Sequence, residues 1–147
     1  MAEALRQAQL AFDNDEVPVG AVVVRNGEII ASGYNQNRTN VDPSAHAEIL
    51  VLRAAALKIA SARLDDCDLY VTLEPCAMCA AAISLARIHN VYYACGDEKF
   101  GAVENGVRFF GSASCYHKPE VYSGIGEGES KRMLQDFFAK KRAVPKL

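Results

Sequence analysis

Two short segments of the chain carry residues whose types and spacing suit metal-assisted catalysis. The first is His46-Ala47-Glu48 and the second is Pro75-Cys76-Ala77-Met78-Cys79. Together they offer one imidazole, two thiols and a carboxylate that need not be a ligand. Catalytic zinc sites use three protein ligands and leave the fourth position to water, whereas structural sites use four. The pattern therefore predicts a catalytic Zn²⁺ held by His46, Cys76 and Cys79.

Glu48 is predicted to be the catalytic acid and base of this site. It follows His46 too closely for easy coordination to the same ion, yet it is near enough to reach a water held there. Zinc lowers the pKa of bound water from ~16 to about 7 in favourable sites, and a neighbouring carboxylate can take up that proton. Because two thiolates cancel the formal charge of the ion, a separate base is useful.

Other interpretations of these motifs are weaker. A lone C-x-x-C also occurs in redox motifs and zinc ribbons, and a lone H-x-E carries little information, but H-x-E followed by P-C-x-x-C is the signature of zinc nucleobase deaminases. Cys67 and Cys95 fall at the ends of predicted strands, where cysteines are commonly inert. A closed structural site would need a fourth ligand from the remaining cysteines and histidines: Cys67, Cys95, Cys115, His89 and His117.

Length and composition indicate a single compact enzyme domain over residues 1–147. Half of the residues are hydrophobic and the net charge is −2, which argues against a uniformly basic nucleic-acid binder. The five cysteines are an odd number without a secretory signal, so free thiols in a reducing cytoplasm are expected rather than a disulfide framework. No stretch is apolar enough to span a membrane. We expect neither a membrane partner nor an organic cofactor.

Hydrophobic patterning predicts strands that alternate with helices. The Asn26-Gly27 pair is a hairpin signal between two strands. Asp42 or Ser44 is expected to cap a helix that ends near residue 59. The predicted apolar face of that helix comprises Ile49, Leu50, Leu52, Arg53, Ala56 and Leu57. The other predicted helices span residues 2–12, 76–87 and 131–142, and the predicted strands span residues 17–24, 28–34, 69–73, 91–95 and 120–122. The alternation predicts a layered α/β fold with the zinc motifs at helix starts beside strand ends.

Three segments carry a resemblance to a known family. They are residues 16–21 (EVPVGA), 42–48 (DPSAHAE) and 70–79 (YVTLEPCAMC). With these segments, and further ones at 106–110 and 136–138, the chain resembles the bacterial tRNA-specific adenosine deaminases of the cytidine deaminase superfamily almost from end to end.

The resemblance implies a cytidine-deaminase-like fold, in which a five-stranded mixed sheet lies between helices in a three-layer αβα arrangement. It also implies a homodimer, one Zn²⁺ per subunit, and hydrolytic conversion of adenosine to inosine at the wobble position of a tRNA anticodon stem-loop. In this family His46, Cys76 and Cys79 would be zinc ligands, Glu48 the proton shuttle, and Asn35 a contact to the target base.

The chain departs from the family pattern in two places. Where the family has an Arg-Asp-x-Lys-Thr-Gly-Ala run after the fourth strand, this chain has Gly96-Asp97-Glu98-Lys99-Phe100-Gly101-Ala102. Asp97 and Lys99 carry over as predicted nucleotide contacts, whereas the missing arginine and Phe100 change the local surface. The chain also opens almost inside its first predicted helix, so we expect a few family residues to be absent there.

Basic residues at the end of the last predicted helix are candidates for binding RNA phosphates. They are Lys140, Lys141, Arg142 and Lys146. A solvated helix end, favoured by the helix dipole, explains these charges equally well. Phe109-Phe110 and Phe137-Phe138 are each expected to bury at least one ring. RNA loops expose partly unstacked bases that proteins can read, but it is the family resemblance, more than the charges, that favours RNA.

Three functions remain open at this point. The first is a tRNA adenosine deaminase with Lys140 and Arg142 among its phosphate contacts. The second is a deaminase of a free base, nucleoside or nucleotide of the cytosine or guanine type, which has no use for a basic terminal helix. The third is a non-catalytic zinc-stabilised module, and Glu48 counts against it.

The predicted dimer interface comprises part of the small, apolar helix over residues 80–86, with Arg87 and Ile88. Burial of this helix within one subunit is equally consistent with its composition.

Overall fold

Helices and strands alternate along the chain and build a three-layer αβα fold. The computed structural model describes residues 1–143, so the predicted phosphate contact Lys146 lies outside the described residues. The helices are α1 (Ala2–Asp13), α2 (Ala47–Ile59), α3 (Ala77–Ala86) and α4 (Glu127–Ala143). The strands are β1 (Gly20–Arg25), β2 (Glu28–Tyr34), β3 (Cys67–Leu73), β4 (Asn90–Cys95) and β5 (Glu120–Ser123), with one 3₁₀ turn at Phe109–Gly111.

The strands form one mixed sheet in the order β2-β1-β3-β4-β5. β1 is antiparallel to both β2 and β3, whereas β3, β4 and β5 are parallel. α1 and α4 pack against each other on one face of the sheet, and α2 and α3 pack against each other on the opposite face. The predicted fold class is confirmed. Because β3 and β4 are parallel, the loops that follow them leave the sheet at the same edge.

Strand β3 is held from both faces because its side chains alternate in direction. Leu69 and Val71 are fully buried in the core beneath α2 and α3. Thr72 points the other way, and its hydroxyl accepts a hydrogen bond of 3.1 Å from the N–H of Gly20. Its carbonyl accepts a hydrogen bond of 2.6 Å from the hydroxyl of Ser130 in α4. The end of β3 that leads to the second motif is therefore tied to a neighbouring strand and to a helix.

Several local predictions are confirmed. Asn26 and Gly27 form the hairpin with positive φ angles of 52° and 76°, as a tight two-residue turn requires. β2 has the predicted limits, and a short strand occurs near residues 120–122. Phe110 and Phe137 are the buried members of their pairs.

The predicted start of α2 is wrong, and its predicted apolar face is confirmed only in part: Ile49 and Leu52 are buried, whereas Arg53 and Leu57 are exposed. The helix begins at Ala47, and Asp42 instead accepts hydrogen bonds from the N–H and hydroxyl of Ser44 in a separate preceding turn. Leu57, expected in the apolar face, is 84% exposed. The buried face of α2 includes the polar Glu48. Because a hydrophobic pattern excludes a glutamate, the face assigned from the sequence is rotated about the helix axis relative to the observed one. The buried residues of α2 are Ala47, Glu48, Ile49, Val51, Leu52 and Ala55.

One further boundary and the location of one side chain differ from the sequence-based expectation. α4 begins at Glu127, a turn earlier than predicted, because its first turn includes Ser130, which is hydrogen-bonded to the sheet. Ile88, predicted at a subunit interface, is fully buried within the chain itself. No helix within residues 1–143 is long and apolar enough to cross a membrane.

The close packing of α1 on β1 predicts a strong effect of Gly20→Ala. A Cβ atom at this position would lie 2.0 Å from the carbonyl oxygen of Ala4 and 2.5 Å from the nitrogen of Ala8. Overpacking costs about 1–3 kcal/mol, or more where backbone must move, so we expect a loss of roughly 3 kcal/mol in the free energy of unfolding measured with urea.

Gly33→Ala in β2 is the matched control for this substitution. Its Cβ would lie 3.4 Å from the nearest atom, Cγ1 of Val51, which is an ordinary contact. We expect a change of less than about 1 kcal/mol. Equal stability of the two variants would show that α1 can move away from the sheet without cost.

Candidate active site

Three metal-ligating side chains converge where two helices begin. His46 is the residue before α2, Cys76 is the residue before α3, and Cys79 lies in the first turn of α3. Nδ1 of His46 lies 3.6 Å from Sγ of Cys76 and 3.5 Å from Sγ of Cys79. Cys79 is buried, while His46 and Cys76 are partly accessible. The structure therefore brings the predicted ligand set together at the end of β3.

These separations fit a tetrahedral zinc ion. Zn–S and Zn–N bonds of about 2.3 and 2.0 Å place two ligand atoms of a tetrahedron roughly 3.5 Å apart. The chain's other cysteines and histidines all lie within the described residues, and none of them joins the group formed by His46, Cys76 and Cys79. A closed four-ligand structural site is therefore not supported, whereas an open three-ligand site is.

One of the two thiols, that of Cys76, is polarised toward the thiolate form that binds a metal. A hydrogen bond from Cys79 lowers the pKa of Cys76 to about 4 despite burial, and His46 adds a smaller contribution in the same direction. The same pairing raises the pKa of Cys79, and the hydrogen bond with Cys76 raises the pKa of His46. The N-terminus of α3 adds partial positive charge, which favours a thiolate at Cys76.

Glu48 lies in the first turn of α2 and is 4% exposed. Burial raises the pKa of its carboxyl group to about 7. Glu48, His46 and Cys76 all line the same cleft. A carboxyl group that titrates near neutral pH beside an open metal position can both accept and donate a proton.

Asn35 connects the end of β2 to the start of α2. It is 8% exposed, and its Oδ1 accepts a hydrogen bond of 2.7 Å from the N–H of Ala47. This bond satisfies one of the free N–H groups at the start of α2, which is the capping role predicted for Asp42 or Ser44. Asn35 also lines the cleft. Its Nδ2 has no hydrogen-bond partner among the described residues and is free to bind a substrate.

Glu74, which the sequence analysis did not identify, holds the loop that follows β4. It is 3% exposed. Oε1 accepts hydrogen bonds from the N–H of Asp97 and from Nδ2 of Asn105, at 3.0 and 2.7 Å. Oε2 accepts hydrogen bonds of 2.9–3.0 Å from the N–H groups of Val103, Glu104 and Asn105. Burial alone would raise the pKa of Glu74, but these donors hold it below its usual range.

Asp97 and Lys99, the predicted nucleotide contacts, lie on this loop and line the cleft. Oδ1 of Asp97 accepts hydrogen bonds from the N–H groups of Lys99 and Phe100, at 3.0 and 3.1 Å, so the carboxylate closes a local turn. Nζ of Lys99 lies 5.3 Å from the ring centroid of Phe100. The turn fixes where the side chains of Lys99 and Phe100 lie in the wall of the cleft.

Glu16 holds the loop between β2 and α2 in the same way that Glu74 holds the loop after β4. It is 2% exposed and accepts hydrogen bonds from the N–H of Arg38, at 3.1 Å, and from the N–H and hydroxyl of Thr39, both at 2.7 Å. Arg38 also pairs with Asp15, which in turn lies 2.5 Å from Nζ of Lys141. One wall of the cleft is thereby linked to α4.

The cleft is large and contains several cations. Its volume is about 1440 Å³, beyond the 300–1,000 Å³ that is usual for small-molecule sites. The basic residues in its lining are Arg38, Lys99, Lys131, Lys141 and Arg142. Of the predicted phosphate contacts, Arg142 lines the cleft, whereas Nζ of Lys140 lies over the ring of Phe12, 5.6 Å from its centroid. Sequence reasoning had not identified Arg38 or Lys131.

Comparison with known proteins agrees with this geometry. A family model described as MafB19-like deaminase matches residues 1–142. The tRNA-specific adenosine deaminase of Agrobacterium fabrum is 54% identical over 142 residues, which cover 97% of this chain and 93% of the relative. This chain belongs to the tRNA-specific adenosine deaminase family.

Solved structures show that deaminases with other substrates share this fold. A structure from a study of A-to-I editing by tRNA:A34 deaminases at the wobble position of transfer RNA has a TM-score of 0.90 and 54% identity, covering 91% of this chain and 97% of that chain. Guanine deaminase from Bacillus subtilis has a TM-score of 0.63 and 29% identity, covering 99% and 94%. The fold is thus shared with a free-base deaminase, but the identity to the tRNA-specific adenosine deaminases is much higher.

Glu74→Gln tests the role of the buried carboxylate. The neutral amide is a weaker acceptor and turns an N–H₂ group toward N–H donors, so we expect the free energy of unfolding at pH 7 to fall by about 1.5–3 kcal/mol. Faster hydrogen exchange at Val103, Glu104 and Asn105 should accompany this loss.

The difference in stability between wild type and Glu74→Gln should depend on pH. Because the folded pKa of Glu74 lies below the value of about 4.3 expected for the unfolded chain, the stabilisation is present above that pH and is lost as the pH falls through the folded value. Urea denaturation from pH 7 down to a pH below the folded pKa of Glu74 measures the difference. Glu98→Gln, an exposed change on the same loop, is the control. A difference that grows toward low pH would contradict the assignment.

Proposed function

We propose that this protein catalyses the hydrolytic deamination of adenosine to inosine at the wobble position of a tRNA anticodon, with one Zn²⁺ per subunit. The reaction consumes water and releases ammonia. The observation that carries the proposal is the continuity of the three-ligand group with a large cleft that contains cations, in a chain of this family.

The size of the cleft supports an RNA substrate over a free base, because a nucleobase alone would fill only part of about 1440 Å³. The lining combines five cationic side chains with seven carboxylates, so the cations offer individual phosphate contacts rather than a uniformly basic surface. Phosphate contacts dominate the affinity of nucleic-acid binding. We propose Arg142, Lys141, Lys131 and Arg38 as phosphate contacts, and Lys140 as a more distant one.

His46, Cys76 and Cys79 would hold the zinc ion. Their donor set of one imidazole and two thiols is typical of nucleobase deaminases. A zinc ion bound there supplies an acidified water as the nucleophile. Because Cys76 already favours the thiolate, its protonation would change less on metal binding than that of Cys79.

Glu48 would move protons between water and substrate. It takes one proton from the attacking water and delivers it to the purine ring, and then takes the proton of the hydroxyl group formed at the attacked carbon and delivers it to the amine, which leaves as ammonia while the carbonyl forms. Its burial supports this role, because a pKa near 7 lets one group perform both halves of the transfer. Asn35 would hold the target base through its free Nδ2, and Asp97 and Lys99 would contact neighbouring nucleotides.

A homodimer and a cytoplasmic location stay predictions. α2 and α3 expose Leu57 and Leu85, at 84% and 63% of their accessible surface, and these side chains are suitable for a subunit contact. Because Ile88 is buried in its own chain, a contact there would involve the outer faces of the helices instead.

The first experiment is inosine formation on a synthetic anticodon stem-loop with adenosine at the wobble position. Free adenosine, cytidine and guanine are run in parallel, and a stem-loop with the adenosine moved by one position is the matched substrate control. We expect conversion of the wobble adenosine alone. Conversion of a free compound without the stem-loop would retain the zinc chemistry but replace the proposal with a free-base or nucleoside deaminase.

Glu48→Gln and Cys79→Ser should separate proton transfer from metal binding. Loss of a general acid and base costs about 10²–10⁴-fold in rate, so Glu48→Gln should keep its zinc and lose at least about 100-fold in turnover. Cys79→Ser should lose both zinc and activity. Zinc content per chain and single-turnover rates measure the two effects.

Cys115→Ser is the control for Cys79→Ser, because Cys115 lies apart from the ligand group. It should retain zinc and activity. Normal turnover in Glu48→Gln would remove the proton-shuttle assignment, and normal zinc content in Cys79→Ser would remove the ligand assignment.

A further inference from the structure

Phe100 is an exposed aromatic side chain in the wall of the cleft. Its surface is 68% exposed, so it contributes little to the packing of the domain. It lines the same cleft as His46, Glu48 and Asn35. Where the family pattern has threonine, this chain places the largest apolar group of the loop in contact with solvent at the substrate side.

The backbone that carries Phe100 is fixed. Its own N–H donates a hydrogen bond of 3.1 Å to Oδ1 of Asp97. The next residue, Gly101, packs so closely that a Cβ atom there would lie 2.5 Å from Cδ of Glu74. Glu74 in turn holds both ends of the loop, at Asp97 and at Asn105. The ring therefore projects from a rigid support.

The surroundings of the ring suit a nucleotide. Nζ of Lys99 lies 5.3 Å from the ring centroid, and the cations Lys131 and Arg142 line the same cleft. Exposed aromatic rings with cations nearby bind single-stranded nucleic acid by stacking on a base while the cations contact phosphates. A free nucleobase bound at the metal group would have no neighbouring base to occupy such a ring.

We propose that Phe100 is a specificity-determining residue that stacks on the base of a nucleotide directly beside the target adenosine. This inference rests on the proposed function, because it requires a substrate with flanking nucleotides. Stacking of the flanking base on Phe100 increases the rate at which the target adenosine is deaminated.

The test is a cycle that combines a side-chain change with removal of a base. Phe100→Leu keeps an apolar side chain but removes the ring, and Phe100→Tyr keeps the ring. Each enzyme is assayed for kcat/KM on the intact anticodon stem-loop and on stem-loops with an abasic residue immediately before or after the target adenosine. Tyr116→Leu is the matched control, since Tyr116 is 77% exposed and does not line the cleft.

Loss of a stacked base lowers binding about 5- to 150-fold. We expect Phe100→Leu to lose kcat/KM within that range on the intact stem-loop, while Phe100→Tyr and Tyr116→Leu stay within about twofold of wild type. At one flanking position the abasic substrate should lower the wild-type rate by a similar factor and lower the rate of Phe100→Leu no further. Independent losses at both flanking positions would overturn the assignment.

A second readout does not depend on turnover. In the Glu48→Gln background, 2-aminopurine at the coupled flanking position should be quenched on binding, and Phe100→Leu should restore its fluorescence. Unchanged quenching would overturn the stacking role. If wild type forms no inosine on the intact stem-loop, the proposed function fails first. If wild type is active but the cycle shows no coupling, only the role of Phe100 fails.

Discussion

The site depends on one geometric constraint: two helices must begin at the same place beside the end of β3. His46 precedes α2 and Cys76 precedes α3, so two of the three candidate ligands belong to connections rather than to the helices themselves. Connections have no ladder of hydrogen bonds to fix them. In this chain buried hydrogen-bond acceptors hold the connections in place. Asn35 caps α2, and Thr72 fixes the end of β3 to β1 and to α4.

The walls of the cleft are stabilised by the same principle. A buried carboxylate is costly unless donors replace the water that it loses. Backbone N–H groups donate hydrogen bonds to Glu74 and Glu16 and so offset the loss of water. Each carboxylate thereby stabilises one conformation of the loop that provides its donors. A substrate that enters the cleft meets preformed walls, so less of its binding energy is needed to order the protein.

Sequence reasoning succeeded where the determining contacts are local. The two short motifs His46-Ala47-Glu48 and Cys76-Ala77-Met78-Cys79, the Asn26-Gly27 hairpin and many element limits can each be identified from residues within a few positions of one another. Glu74 and Glu16 depend on partners 22–31 residues away, and no spacing rule links a carboxylate to distant N–H groups. The face of α2 was partly misassigned for a related reason, because Glu48 is buried although it is polar, and a hydrophobic pattern excludes it.

The three buried glutamates show how one residue type can have different roles in one site. Glu16, Glu48 and Glu74 are all less than 5% exposed. Backbone donors lower the pKa of Glu16 and Glu74 despite burial, so both remain charged and rigid at neutral pH. Glu48 lacks such a set of donors from a loop, and burial raises its pKa to about 7. It is therefore the one of the three whose protonation can change near neutral pH, and the other two are fixed charges that hold the walls of the cleft.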